Sequence, residues 1–206
     1  MKKIISGMAA AIVSIVLITA CGKTGPAGAT GPAGAAGPAG PQGLIGNANV
    51  YTDTFTLVSA DWIWNSIYFF TVNNGYSNGY FTRYHDVMFA KITQGMIDSG
   101  TVMVFLTPDQ EVPTAFSPLP YSFISLNEQY YYNFEYEATV GKVRLHYFYT
   151  PNGTDAIPST STLIADQIAT HKYKIIVVGG TVSTAMKQSQ IDVNDYDQVK
   201  KFLDLP

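Results

Sequence analysis

From Gly22 onward every third residue is glycine: Gly22, Gly25, Gly28, Gly31, Gly34, Gly37, Gly40, Gly43 and Gly46. Glycine makes up about 7% of an average protein, so eight further glycines in register after the first arise by chance less than about once in a billion. The period dictates a geometry. Where three polyproline-like chains meet at a shared axis only a hydrogen fits as the inward side chain, so a strict Gly-X-Y run is suited to a triple helix. Glycine and proline weaken α-helix and sheet alike. Pro26, Pro32, Pro38 and Pro41 all follow a glycine directly, and no proline takes the next slot. The same composition also suits a lone, semi-rigid extended linker. Lys23 is the one ionisable side chain in the tract, so no interchain charge pairs favour the trimer. Both readings give a spacer, and at about 3.1 Å per residue it reaches on the order of 80 Å.

Before the tract, Lys2 and Lys3 precede an uncharged run from Ile4 to Ala20, which ends at Cys21. A basic start, a short apolar stretch and small residues at the break are the marks of a secretory signal. The run of 17 residues contains Ser6, Gly7 and Ser14. That is marginal for crossing roughly 30 Å of hydrocarbon, which leaves a plain transmembrane anchor as the alternative. Leu17-Ile18-Thr19-Ala20-Cys21 resembles the lipobox of bacterial lipoproteins. That resemblance implies cleavage between Ala20 and Cys21, with a diacylglyceryl group on the thiol and an acylated amine. Only a thiolate is nucleophilic enough for the thioether. Two or more acyl chains hold a protein stably on a membrane without spanning it. No Asp follows Cys21 closely, so nothing resembles an inner-membrane retention signal, and the outer membrane is expected with the leaflet open.

Residues 49–206 contain all 15 acids against nine Lys or Arg, a formal charge of −6. Such a surface suits no nucleic acid, which needs a clustered basic face. One cysteine excludes a disulfide scaffold. The length fits one domain with its own core. Runs rich in Tyr, Phe, Val, Ile and Thr predict strands at Val50–Val58, Ile67–Val72, Tyr80–Ile92, Val102–Leu106, Tyr121–Leu126, Tyr130–Ala138, Lys142–Thr150 and Tyr173–Val178. Turns are expected at Asn74-Gly75, Asn78-Gly79 and Pro151-Asn152-Gly153. Tyr130, Tyr132, Phe134 and Tyr136 alternate with Tyr131, Asn133, Glu135 and Glu137, while Val143, Leu145, Tyr147 and Tyr149 oppose Arg144, His146 and Phe148. Each strand therefore has one apolar face, and a hairpin through Thr139–Gly141 joins them. Val102–Leu106 and Ile175–Val178 are apolar throughout and read as central strands. Thr93–Ser99 suggests a single helical turn. Asp195–Leu203 reads as a helix opened by an Asp195/Gln198 capping box, with Val199, Phe202 and Leu203 as its apolar stripe, packed on the edge of a sandwich. The expected class is all-β, a β-sandwich-like head with a short C-terminal helix. The expected organisation is a signal peptide over 1–20, the lipidated Cys21 and stalk over 21–48, and the head over 49–206.

The arrangement as a whole resembles small Gram-negative collagen-like lipoproteins. It does so through Leu17–Cys21, the triplets, Ile92–Leu106, Tyr173–Val178 and the ending Asp195–Pro206. The resemblance implies a membrane-anchored envelope protein and supplies no catalytic residues. In a bacterium hydroxyproline is not expected, in keeping with the proline-free second slot.

Chemistry is sparse. His85-Asp86 could pair, with Ser77 or Ser122 as a nucleophile, but no nucleophile elbow surrounds either serine. A hydrolase is therefore the third reading. The histidines His85, His146 and His171 have no zinc spacing, and Asp192, Asn194, Asp195 and Asp197 fit helix capping better than a calcium loop, so neither a metal nor a cofactor is expected. Gly179-Gly180 follows a strand but lacks a dinucleotide fingerprint and a helix start. The suggestive excess is aromatic: 14 Tyr, 11 Phe and two Trp. Trp62 and Trp64 as an exposed pair, with Tyr76 and Tyr80 on Gly/Asn turns, would suit stacking on a glycan or anchoring a protein partner. The leading expectation is a non-enzymatic envelope protein for adhesion, binding or structure. A carbohydrate-binding module is the runner-up.

Overall fold

Strand formation follows the apolar alternation closely. The computed structural model describes residues 49–71, 77–108, 112 and 114–206. The signal segment, Cys21, the Gly-X-Y tract, the Asn74-Gly75 turn and Tyr76 lie outside the described residues. Nine strands are described: β1 (Val50–Leu57), β2 (Ile63–Thr71), β3 (Ser77–Met88), β4 (Thr101–Leu106), β5 (Ser117–Pro118), β6 (Tyr121–Ile124), β7 (Tyr130–Thr139), β8 (Lys142–Pro151) and β9 (His171–Val178). They form two antiparallel sheets, one ordered β1-β9-β4-β5 and the other β2-β3-β8-β7-β6. The head is β-rich and sandwich-like, as the sequence predicts. The two sheets share a core of Val104, Leu106, Ile175 and Val177 against Phe134, Val143, Leu145 and Tyr147, all buried.

The expected hairpin is present. Thr139 pairs with Lys142, and Gly141 takes φ +78° between them, a conformation glycine adopts without strain. Asn78-Gly79 is not a turn. Gly79 lies within β3 opposite Phe69, where an added Cβ would fall 2.6 Å from Ile67 Cγ2, so the glycine makes room for two neighbouring side chains.

Among the described residues there are also four short α-helices, α1 (Gln94–Ser99), α2 (Thr160–Ala165), α3 (Gly180–Gln188) and α4 (Tyr196–Phe202), and a 3-10 turn at Ser59–Asp61. Thr93 caps α1 by accepting from the Met96 N–H. The Gly179-Gly180 pair does open a helix, with Gly179 as the N-cap of α3, contrary to expectation. A Cβ on Gly180 would stand 2.6 Å from Ser99 Oγ, which accounts for the glycine. Asp195 caps α4, its Oδ1 accepting from the Gln198 N–H at 3.0 Å. The Gln198 side chain bonds Asp195 Oδ2 and the Asp192 N–H, not the Asp195 backbone as a reciprocal box would require.

The helical layer corrects the sequence-based picture. Helices α3 and α4 do not flank the sandwich edge; they cover the outer face of the β1-β9-β4-β5 sheet. Val182, Met186, Tyr196, Val199 and Leu203 pack there against Met103, Phe105, Ile176 and Val178. That is why β4 and β9 are apolar on both faces.

Candidate functional site

Ladders of aromatic residues cover the inner face of β6, β7 and β8. Phe123 faces Tyr132, which faces Tyr149; Tyr121 faces Phe134, which faces Tyr147. Phe123 stacks on Tyr132 with centroids 4.7 Å apart, and Phe134 meets Tyr147 at 5.1 Å. The opposite sheet does not cover the β6 edge of this floor. A half-open cleft of about 300 Å³ remains there, walled on one side by Phe123, Ile124 and Leu126 and on the other by Asp166, Ile168 and His171. The volume lies at the small end of the range for ligand sites.

The cleft's polar groups are held in place by the fold. Asp166 Oδ2 accepts hydrogen bonds from the hydroxyls of both Tyr147 and Tyr149. Burial, followed by these bonds to the carboxylate, raises both phenol pKa values above the ordinary tyrosine range. His171 donates from Nδ1 to the Thr107 carbonyl at 2.8 Å, since a carbonyl can only accept. Burial lowers the pKa of His171, with the Thr107 bond opposing, so the ring is neutral at pH 7. Beneath the wall lies Arg83, 7% exposed. It donates to the backbone carbonyls of Asp166 at 2.7 Å, Ser59 at 2.7 Å and Trp62 at 3.2 Å.

The sequence-proposed residues are not gathered into one site. Trp62 is 4% exposed and packs on Phe134, Tyr147 and Tyr173, so it belongs to the core and cannot stack on a surface ligand. Trp64 is half-buried against Phe81, and Tyr80 is half-buried with its ring stacked on Phe148. His85 and Asp86 do not pair, because consecutive strand residues point to opposite faces. His85 Nδ1 bonds the Asp61 carbonyl at 2.9 Å, while Asp86 is clamped by Arg144 at 2.6 Å and Lys142 at 3.3 Å. Those bonds, Arg144 foremost, hold Asp86 below the usual carboxylate range. Ser122 donates to Asn133. No group of three or more His, Cys, Asp or Glu is placed to hold a metal among the described residues.

On the opposite face of β7 and β8, Glu135 lies across from a buried His146. His146 Nδ1 bonds Thr82 Oγ1 at 3.0 Å, and its Nε2 stands 3.4 Å from Glu137 without hydrogen-bond alignment. Burial pushes Glu135 from 4.5 up to about 7. Between those values the folded chain binds more protons than the unfolded chain. Stability from this group therefore falls as pH rises from 4.5 to 7, and the whole penalty is present above 7. Full linkage would be roughly 3 kcal/mol, which partial solvent access reduces to about 1.5 kcal/mol. Glu135→Gln is expected to raise the urea midpoint at pH 8 and leave it nearly unchanged at pH 4. Equal shifts at both values would dismiss burial of the charge as the cause.

The fold thus defines a class: a two-sheet antiparallel head with helices on one outer face and an aromatic cleft at an uncovered sheet edge. No family model, curated protein or solved structure matches the chain.

Proposed function

We propose that this chain is a lipid-anchored envelope protein of the outer membrane, without enzymatic activity, which carries a β-rich binding head on a collagen-like spacer. One observation in the head supports the reading above the others. The chain enters β1 at Val50, paired with Val178, whereas the His171 wall of the cleft pairs with Leu57 at the far end of the same strand. Seven steps of about 3.4 Å put roughly 24 Å between the point of entry and that end. A spacer is useful to a binding surface at the end away from its attachment. The pair considered from the sequence for hydrolysis, His85 and Asp86, is bonded instead to Asp61 and Arg144.

Metabolic labelling with a palmitate analogue tests the anchor. The wild type is expected to take the label and Cys21→Ser to lose it; equal labelling would sink the lipid reading. Sedimentation of residues 22–206 beside 49–206 reads the strand number of the spacer. A trimer only with the tract present means a homotrimeric triple helix, and a monomer in both means a single-chain linker.

A further inference from the structure

We propose that the cleft takes a small organic cation, its ammonium group held between the Asp166 carboxylate and the aromatic floor of β6, β7 and β8. The inference rests on the reading of the head as a binding module and names the chemistry of its ligand.

The argument turns on which polar groups in the cleft are already spent. The Tyr147 hydroxyl donates to Asp166, the Tyr132 hydroxyl is paired with Tyr130 at 3.3 Å, and the His171 Nδ1–H is given to Thr107. Gln167 turns its amide towards the Ala165 carbonyl. What these bonds leave for a guest is electron-rich: the second carboxylate oxygen of Asp166, the Nε2 lone pair of His171, and the π-systems of Phe123 and Tyr132. No Lys or Arg is among the lining residues. Arg83 offsets part of the Asp166 charge, but its donors are turned to three backbone carbonyls and it does not line the cleft.

A sugar would need several donors as well as acceptors from such a wall, and most of its side-chain donors are used internally, with one amide N–H of Gln167 left over. A cation needs only acceptors and ring faces, and aromatic rings attract ammonium groups more strongly as water is excluded. The two phenols that hold Asp166 Oδ2 fix the carboxylate in place, so a guest does not have to order it. Phe123, 41% exposed on the short strand β6, forms the outer lip.

The test uses the full chain in a nonionic detergent, with choline as probe and 3,3-dimethyl-1-butanol as its neutral isostere, read by saturation-transfer NMR and calorimetry. Choline is expected to bind in the millimolar range, with the isostere about tenfold weaker or more. Asp166→Asn, which keeps an acceptor for the two tyrosines, is expected to remove the preference for charge. Phe123→Ala is expected to weaken choline about threefold or more. Should Asp166→Asn fail to fold, the Phe123 variant and the isostere carry the test. Equal binding of choline and the isostere, no choline binding, or choline binding indifferent to Phe123→Ala would each overturn the proposal. If neutral sugars bind instead and Phe123→Ala abolishes it, the cation is wrong while the binding head stands. If no choline, isostere or sugar signal responds to Phe123→Ala, both readings fall.

Discussion

Phe105→Ala is expected to destabilise the head by about 3–5 kcal/mol, the cost of emptying a large aromatic site that cannot collapse. Phe105 is fully buried one residue before the end of β4, between Lys174 on one neighbouring strand and Pro118 on the other. Its ring points to the helical layer and meets Tyr196 edge-on at 5.3 Å. Tyr196 is itself fixed by the Lys174 ammonium, which donates to its hydroxyl at 3.0 Å. Backbone pairing on both sides keeps β4 from moving outward to fill the gap, and the Lys174 bond restrains α4 from moving inward. A thermal melt should fall by about 10 °C or more for a domain of this size. A loss below about 1 kcal/mol would mean that α4 is not packed on the sheet as described, because a loosely seated helix would close over the cavity.

The same layer marks the limit of what the sequence discloses. Alternation in β7 and β8 reveals which residues face the core, because each of those strands has one partly polar face. In Val102–Leu106 of β4 and Ile175–Val178 of β9 the pattern is apolar throughout, which signals burial on both sides without naming the covering element. Helix α3 supplies part of that cover and has a weak signature: Gly, Thr, Val and Ser at its start, with only Val182, Ser183 and Met186 buried. Its stability comes from packing more than from propensity. Helix α4 was legible from its cap and stripe, but its position on the outer face was not, since a stripe identifies a buried side and not the surface that buries it.

The cleft was less legible still. Asp61-Trp62-Ile63-Trp64 offers two aromatic residues two apart, so they share a side of the chain, but nothing local tells inward from outward. In the fold Trp62 turns inward to Phe134 and Tyr173, and the bulge at Asn65, with φ 82°, resets the alternation just beyond Trp64. Asp166 carries no local signal at all. It follows a short helix as a single acid in the run Leu163–Ala169, and its significance comes from two tyrosines on β8 that reach it from 17 and 19 residues earlier. The inward face of β8 was readable in the sequence. That its last two tyrosines end on a carboxylate was not.

Arg83 is the residue that joins these parts, and its replacement by methionine should affect fold and cleft together. Its guanidinium ties three carbonyls on two segments to β3: Ser59 and Trp62 in the connection from β1 to β2, and Asp166 in the cleft wall. Arg83→Met keeps much of the side-chain volume and takes the guanidinium from all three carbonyls; Asp166 keeps the Ser59 hydroxyl at 3.2 Å and Ser59 keeps the Trp62 N–H at 3.4 Å, so the cost is less than that of three unsatisfied groups at about 1–3 kcal/mol each. Removing the charge also relieves the cost of desolvating it, so the net loss is expected to be about 3 kcal/mol and not the sum over three bonds. The two variants should differ in kind. Phe105→Ala acts in the helical layer and should leave the aromatic signature of the cleft intact in the folded protein. Arg83→Met frees the Trp62 backbone and the Asp166 wall, so the near-ultraviolet circular dichroism of Trp62 and its tyrosine neighbours should weaken at temperatures well below the melt. Arg83→Lys can restore one donor and the charge but not the fork, and should recover only part of the stability. If Arg83→Met lowers the melting temperature while the near-ultraviolet spectrum is unchanged, the arginine is a core filler and the cleft wall is held by the tyrosines alone.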